Sequence, residues 1–186
     1  MLKHQEALLR AEKIKVVVFD VDGVLSDGHI YMGPQGEAMK AFSARDGMGI
    51  TLLHRAGIKT AIITGRQSEI VANRARELKI TRVWQGCSDK REAWEELKQE
   101  LQVKDEEIAY AGDDLNDLPL LLKAGLAATV ADAVPEVSDV AQLQSSYNGG
   151  QGAVREIAEF ILKRQNKWQQ LVEGFTGPQK LEAAAQ

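Results

Sequence analysis

Cysteine is almost missing from this 186-residue chain, where Cys87 stands alone, so no internal disulfide can staple it. No histidine lies near Cys87 in sequence to activate its thiol, and the residue reads as small and inert. The three histidines are too scattered for metal-ligand spacing, which leaves His29 and His54 in surface or core roles. Basic excess is missing too: the formal net charge is −4, and lysine and arginine do not cluster. That balance offers no surface for nucleic acid and favours small partners over polymers. No stretch is apolar and long enough for a signal peptide or a membrane span, so the expectations are a cytoplasmic protein and no membrane partner. Repeats and low-complexity segments are absent as well.

What is present is the material of a core. Hydrophobic residues make up 44% of the chain, enough at this length for one well-buried domain over 1–186 and too little for two. The run Val16-Val17-Val18-Phe19 is β-branched and apolar throughout, as in a strand buried on both faces, and it delivers Asp20 and Asp22 to its carboxyl end before Gly23. In open α/β sheets the crevice lies outside the carboxyl ends of the strands, so acids placed there face a ligand.

An amphipathic helix from about Leu2 to Lys13 leads into that strand. After Gly28, two short runs about Gly33-Pro34-Gln35-Gly36 predict a β-hairpin insertion over 29–42, which is marginal by itself and must pack on something, such as another subunit. A helix through Arg55 follows, with Asp46 as its expected cap. Strands are expected at Ile58–Ile63, around Val83-Trp84, at Ile108–Ala111 and at Leu126–Val130. Helices are expected from Ser68 to Leu78, from Ser88-Asp89-Lys90 onward, over Leu118–Lys123 and from Ala153 to about Lys163. Ala133–Asp139 reads as a proline-led turn and a short sixth strand, and 164–186 as a helix extension fading into a polar tail. Strands alternating with helices predict a three-layer, Rossmann-like α/β sandwich around a parallel sheet. Trp94, Leu97 and Leu101 make a stripe that suits core packing, and Asp27, Asp132, Asp139 and the Glu-rich helix from Glu92 suit turns or solvated faces.

If the first strand is central, with the Thr64 strand on one side and the Asp113 strand on the other, then Asp20, Asp22, Thr64 and Asp113 share one crevice. Three carboxylates at close quarters do not all stay ionised without a compensating cation. Oxygen-only ligation suits a hard ion, and magnesium characteristically takes one or two carboxylates together with substrate phosphate and water. Lys90 at a helix start and the Thr64 hydroxyl then complete a cradle for a phosphoryl group.

Four segments in order carry a family resemblance: Asp20-Val21-Asp22-Gly23, Thr64-Gly65-Arg66, Lys90, and Gly112-Asp113-Asp114-Leu115-Asn116-Asp117. Together the set resembles the haloacid dehalogenase-like phosphatases, with a short hairpin flap in place of a cap domain. The resemblance implies Asp20 as a nucleophile forming an aspartyl-phosphate and Asp22 as general acid and then base, with its backbone carbonyl also on the metal. It also implies Mg²⁺ on the side chains of Asp20 and Asp113, and Thr64 and Lys90 on the transferring group. Asp114 and Asp117 take outer roles, Asp117 by holding Lys90.

Ser43-Ala44-Arg45-Asp46-Gly47-Met48-Gly49-Ile50 and Gly149-Gly150-Gln151-Gly152-Ala153-Val154-Arg155-Glu156 extend the likeness over nearly the whole chain. It is to a branch of that family acting on an eight-carbon sugar acid 8-phosphate of the lipopolysaccharide inner core. That likeness implies substrate contacts at Asp22, Ser43, Ala44, Arg45, Asp46, Gly47, Gly65, Arg66, Arg74 and Lys90. It further implies a homotetramer whose hairpins meet and whose tails reach neighbouring sites. A substrate with a carboxylate beyond its phosphate makes Arg45, Arg66 and Arg74 sensible partners. Two rival readings stand beside it: a phosphatase for a nine-carbon sugar acid 9-phosphate, and a non-enzymatic phosphoacceptor domain.

Overall fold

The computed structural model describes residues 2–176. Its centre is β1 (Val16–Phe19), every residue of which is buried. Val17 and Phe19 point into one apolar layer while Val16 and Val18 point into another. A strand apolar on both faces is stable only with helices on both sides, and its neighbours repeat the pattern. β4 (Lys59–Ile63), β6 (Ile108–Ala111) and β7 (Leu126–Thr129) are buried almost throughout. With β5 (Arg82–Trp84) and β8 (Leu143–Gln144) they form a six-stranded sheet in the order β5-β4-β1-β6-β7-β8, parallel at every pairing. The expected flanking of β1 by the Thr64 and Asp113 strands is what the sheet shows. The expected three-layer parallel α/β architecture is therefore the one observed.

On one face pack α1 (Leu2–Ala11), α2 (Ala44–Arg55), α3 (Glu69–Glu77) and α7 (Ala153–Arg164), through side chains such as Ala7, Ile50, Leu53, Val71 and Ile157. On the other pack α4 (Lys90–Leu101), α5 (Leu118–Leu121) and α6 (Pro135–Val140), through Trp94, Leu97, Leu120 and Val137. The Trp94 stripe is core, as its spacing implied. A separate hairpin, β2 (Tyr31–Gly33) with β3 (Gly36–Met39), stands at the carboxyl edge, and a Ser26–Phe42 bridge closes its base.

Three local expectations are corrected. Ser43, not Asp46, caps α2: its hydroxyl accepts from the Asp46 backbone N–H. Asp46 serves a different helix, accepting from the Gly152 N–H at 3.1 Å and the Arg155 N–H at 2.8 Å. Gly152, at the N-cap of α7, has no side chain to do this, and a carboxylate at a helix N-terminus is favoured by the dipole. The segment expected as a turn and sixth strand is α6, with Pro135 in its first turn, and the sixth strand follows at β8. The tail is not a continuation of α7: the chain breaks at Asn166, with φ +56°, before α8 (Trp168–Thr176), which docks Trp168 and Leu171 against the core. The remainder of the expected tail lies outside the described residues.

Candidate active site

The carboxyl ends of β1, β4 and β6 place Asp20, Thr64 and Asp113 around one open cleft of about 260 Å³, also lined by Asp22, Gly65, Arg66, Asp114 and Asn116. Asp20 leaves β1 buried, its N–H donating to the Ala111 carbonyl at 2.9 Å, so the strand pairing itself fixes where the carboxylate emerges. Thr64, also buried, is held at the end of β4 by its N–H to the Trp84 carbonyl at 3.0 Å.

Lys90 reaches this cluster from the first turn of α4. Its Nζ donates to Asp20 Oδ1 at 2.8 Å and Asp117 Oδ1 at 2.6 Å and lies 3.3 Å from Tyr110 Oη. Burial disfavours its charge, but Asp20 and Asp117 outweigh that and hold Lys90 above the ordinary lysine value. Asp117 is itself fully buried and saturated. Oδ1 also accepts the Tyr110 hydroxyl at 2.5 Å, and Oδ2 accepts the Asp113 and Asp114 N–H groups at 2.9 and 3.3 Å. The expected hold of Asp117 on Lys90 is thus seen, together with a bracing of the Asp113 loop. Gly112 makes room for it: a Cβ there would stand 2.5 Å from Asp117 Cβ.

One carboxylate oxygen from each of Asp20, Asp113 and Asp117 falls within a 4.8 Å cluster. Because Asp117 already accepts from four donors, Asp20 and Asp113 are the pair left for a cation. Asp113 Oδ1 is buried without a hydrogen-bond partner. Burial first, then the charges of Asp20, Asp117 and Asp114, push the Asp113 carboxyl up to about 8. Burial and the Asp117 charge, only partly offset by Lys90, push Asp20 up to about 6. Two acids pushed toward neutrality and one buried oxygen without a partner suit a positive charge between them, and an oxygen-only donor set fits a hard divalent ion. Asp22 differs. Its side chain turns away from this cluster to an ion pair with Lys40 of the hairpin, with Arg66 Nε 3.6 Å from its other oxygen.

The loop carrying these acids is packed backbone to backbone. Gly23 adopts φ +93°, and a Cβ there would sit 2.1 Å from Asp113 Oδ2. From the far end of the chain Gly149 abuts it so closely that a Cβ would lie 1.8 Å from the Gly23 carbonyl, and the Gly150 N–H donates to the Val24 carbonyl at 3.0 Å.

Other residues singled out in the sequence lie outside this cleft. Ser43, Ala44, Asp46 and Gly47 form the start of α2, where both Asp46 oxygens are taken by α7. Arg45 lies over the Tyr147 ring at 5.8 Å. Arg74 packs over Phe42 at 5.7 Å, donates to Glu77 at 2.9 Å, and occupies the space that a side chain at Gly47 would fill. Burial pushes the Cys87 thiol up, in keeping with an inert residue. Sequence reasoning missed Tyr110 and Lys40. Tyr110 has a visible signal in hindsight, a lone hydroxyl in a strand otherwise of small and aliphatic residues, whereas nothing in the hairpin sequence marks Lys40.

Comparison with known proteins agrees with this geometry. A family model described as haloacid dehalogenase-like hydrolase matches residues 82–157. The 3-deoxy-D-manno-octulosonate 8-phosphate phosphatase of Yersinia pestis is 47% identical over 172 residues, covering 92% of this chain and 90% of that one. The Escherichia coli K12 protein of the same name is 45% identical, covering 87% and 86%. A Moraxella catarrhalis structure described as that phosphatase with magnesium, phosphate and KDO superposes with a TM-score of 0.89 at 40% identity, covering 92% and 98%. With the acids and the lysine of its four segments gathered at one sheet edge and relatives matched over nearly their full length, this chain belongs to the haloacid dehalogenase-like hydrolases, within the family of 3-deoxy-D-manno-octulosonate 8-phosphate phosphatases.

Proposed function

We propose that the protein is a magnesium-dependent phosphomonoesterase that releases phosphate from 3-deoxy-D-manno-octulosonate 8-phosphate. The observation that carries this reading is the Lys90-anchored Asp20 carboxylate beside the unpartnered Asp113 oxygen at the end of β1. Asp20 and Asp113, with the Asp22 backbone carbonyl, would hold Mg²⁺. When bound, the ion supplies charge neutralisation for the acids and the phosphate. Asp20 attacks phosphorus: an Asp20 O–P bond forms, the P–O bond to the sugar breaks, and Asp22 gives its proton to the leaving oxygen. Water then attacks the aspartyl-phosphate, its proton passes to Asp22, and phosphate leaves with Asp20 regenerated. Lys90 fixes the Asp20 carboxylate for attack, and it and Thr64 hold the phosphoryl oxygens.

Arg66, half exposed at the mouth, is the proposed partner of the sugar carboxylate, with Gly65 beside it. Ser43, Ala44 and Arg45 form the proposed sugar-facing wall, with Asp46, Gly47 and Arg74 bracing it. The Ser26–Phe42 bridge, which ties this segment to the site loop, supports that assignment. Assembly into a homotetramer through the hairpins is supported by the exposure of Tyr31, Met32 and Met39 on them. No helix of the described residues is long and apolar enough to cross a membrane, which fits the proposed cytoplasmic setting.

Phosphate release from the eight-carbon 8-phosphate and from a nine-carbon sugar acid 9-phosphate, each with magnesium and with chelator, tests the proposal. The expected result is metal-dependent turnover with the higher kcat/KM on the eight-carbon ester. A preference for the nine-carbon ester overturns the substrate, and a stable phosphoprotein without turnover overturns the enzyme.

A further inference from the structure

The hairpin contributes a charged residue to the proton-transfer acid. Lys40, just after β3, has a side chain only 1% exposed, yet it lies beside the cleft mouth and pairs with both Asp22 Oδ1 and, at 2.8 Å, Glu37 Oε1. Glu37 in turn accepts from the hydroxyl of Ser68, the N-cap of α3. The pairs link Asp22, Lys40, Glu37 and Ser68 in a chain that crosses from the nucleophile loop through the flap to α3. Arg66, by contrast, stays 3.6 Å from Asp22 Oδ2 and is half exposed. One oxygen of Asp22 is therefore fixed by a buried ammonium, and the other has the half-exposed Arg66 guanidinium 3.6 Å away, in a side chain that lines the cleft.

We infer that Lys40 is a positioning residue: it holds Asp22 Oδ1 so that Oδ2 is presented to the leaving oxygen, and through Glu37 it makes that presentation depend on a docked hairpin. A lysine buried between two carboxylates costs desolvation that a surface lysine avoids, and an isolated two-stranded hairpin is marginal in water. The Lys40–Asp22 pair and the Ser68–Glu37 hydrogen bond, together with the Ser26–Phe42 bridge at its base, hold this hairpin beside the site, and the acid is one end of the first. The inference rests on the phosphatase reading. In that reaction the proton on Asp22 passes to the sugar oxygen as the P–O bond breaks, so misplacing Asp22 slows the phosphorylation of Asp20 only by esters whose leaving group needs that proton, whereas its later role as base toward water is shared by every ester.

The test is leaving-group dependence in Lys40→Met and Glu37→Gln, assayed with magnesium on the sugar acid 8-phosphate and on 4-nitrophenyl phosphate, whose leaving group departs without protonation. For Lys40→Met we expect kcat/KM, which reports the phosphorylation step alone, to fall about tenfold or more on the sugar ester while on the nitrophenyl ester it changes by less than about threefold, since general acid catalysis is worth about 10²–10⁴-fold in all. In an Asp22→Asn background, Lys40→Met should add nothing further on the sugar ester. Equal losses on both esters, or additive losses in the double variant, overturn the inference. Amide hydrogen exchange over 31–39 provides a readout independent of turnover: it should quicken in Lys40→Met, and unchanged exchange also overturns it. If wild-type protein hydrolyses neither ester, the phosphatase reading has failed, and the exchange result still decides whether Lys40 docks the hairpin.

Discussion

Replacing Asp113 by asparagine should make the metal-free protein more stable and destroy its response to magnesium. Asp113 is pushed up to about 8 from an ordinary 3.8, so the folded state resists ionising it. An acid whose folded value lies above its unfolded value contributes fully below the unfolded value. It loses that contribution as pH rises toward the folded one. At pH 7 the unfolded chain ionises this acid freely while the folded one holds it mostly protonated, and the gap from 3.8 to 7 sets a ceiling of about 4 kcal/mol at about 1.4 kcal/mol per tenfold change in proton activity. Water entering the open cleft screens the group, and a realistic cost is about 1–3 kcal/mol. Asp113 Oδ1 accepts no hydrogen bond, so the amide forfeits nothing at that atom. At about 2–4 °C per kcal/mol for a chain of this length, the variant should melt about 2–12 °C higher in chelator. Its melting point should also vary less between pH 4 and 8. Wild type should gain about 2.7 kcal/mol when magnesium reaches a hundred times its Kd, and the variant nothing. Thermal unfolding by circular dichroism, with chelator and along a magnesium titration, reads both. A variant that melts lower in chelator, or still responds to magnesium, refutes the reasoning.

Asp20→Asn should abolish turnover with the fold retained, because it removes the nucleophile in favour of a neutral isostere; a folded variant with near-normal rate excludes the covalent route. Asp117→Ala should be severely destabilising, about 3–5 kcal/mol by urea unfolding, since it strips a buried lysine of a partner and leaves two loop N–H groups unpaired. A loss below about 1 kcal/mol would mean that Asp117 is not the brace described. Burial, with Lys79 nearby, lowers His54, whose ring Nε2 lies 2.6 Å from Thr60 Oγ1. Stability from this residue is present above about pH 6.5 and lost as pH falls through the lowered folded value, and a His54→Gln variant should show a shallower acid decline in denaturant titrations.

The central strands β1, β4, β6 and β7 were legible because they are almost wholly apolar runs, a pattern set by burial, whereas the two-residue edge strand β8 carries no such run and was misplaced. Asp20, Thr64, Lys90 and Asp113 converge for the same reason, since parallel strands put all their carboxyl ends on one edge. What the sequence hid was partnership between distant segments. Asp46 looks like a cap and is one, but for α7, because the choice of helix depends on the packing of α2 against α7. Lys40 is invisible for the same reason, as its burial exists only once the hairpin lies over Asp22. The end of α7 was overrun although Asn166, a residue type that readily takes a positive φ and ends helices, marked it; the helix formers on either side masked that single signal.

The contact between Gly149-Gly150 and the Gly23 loop has a consequence for biosynthesis. A ribosome delivers the nucleophile among the first residues of the chain, but the clamp on its loop emerges some 125 residues later. At about 5–20 residues per second the loop waits about 6–25 seconds for it. During that interval the growing polypeptide carries its reactive aspartate without the geometry to use it, and competence arrives only once Gly149 and Gly150 have been made.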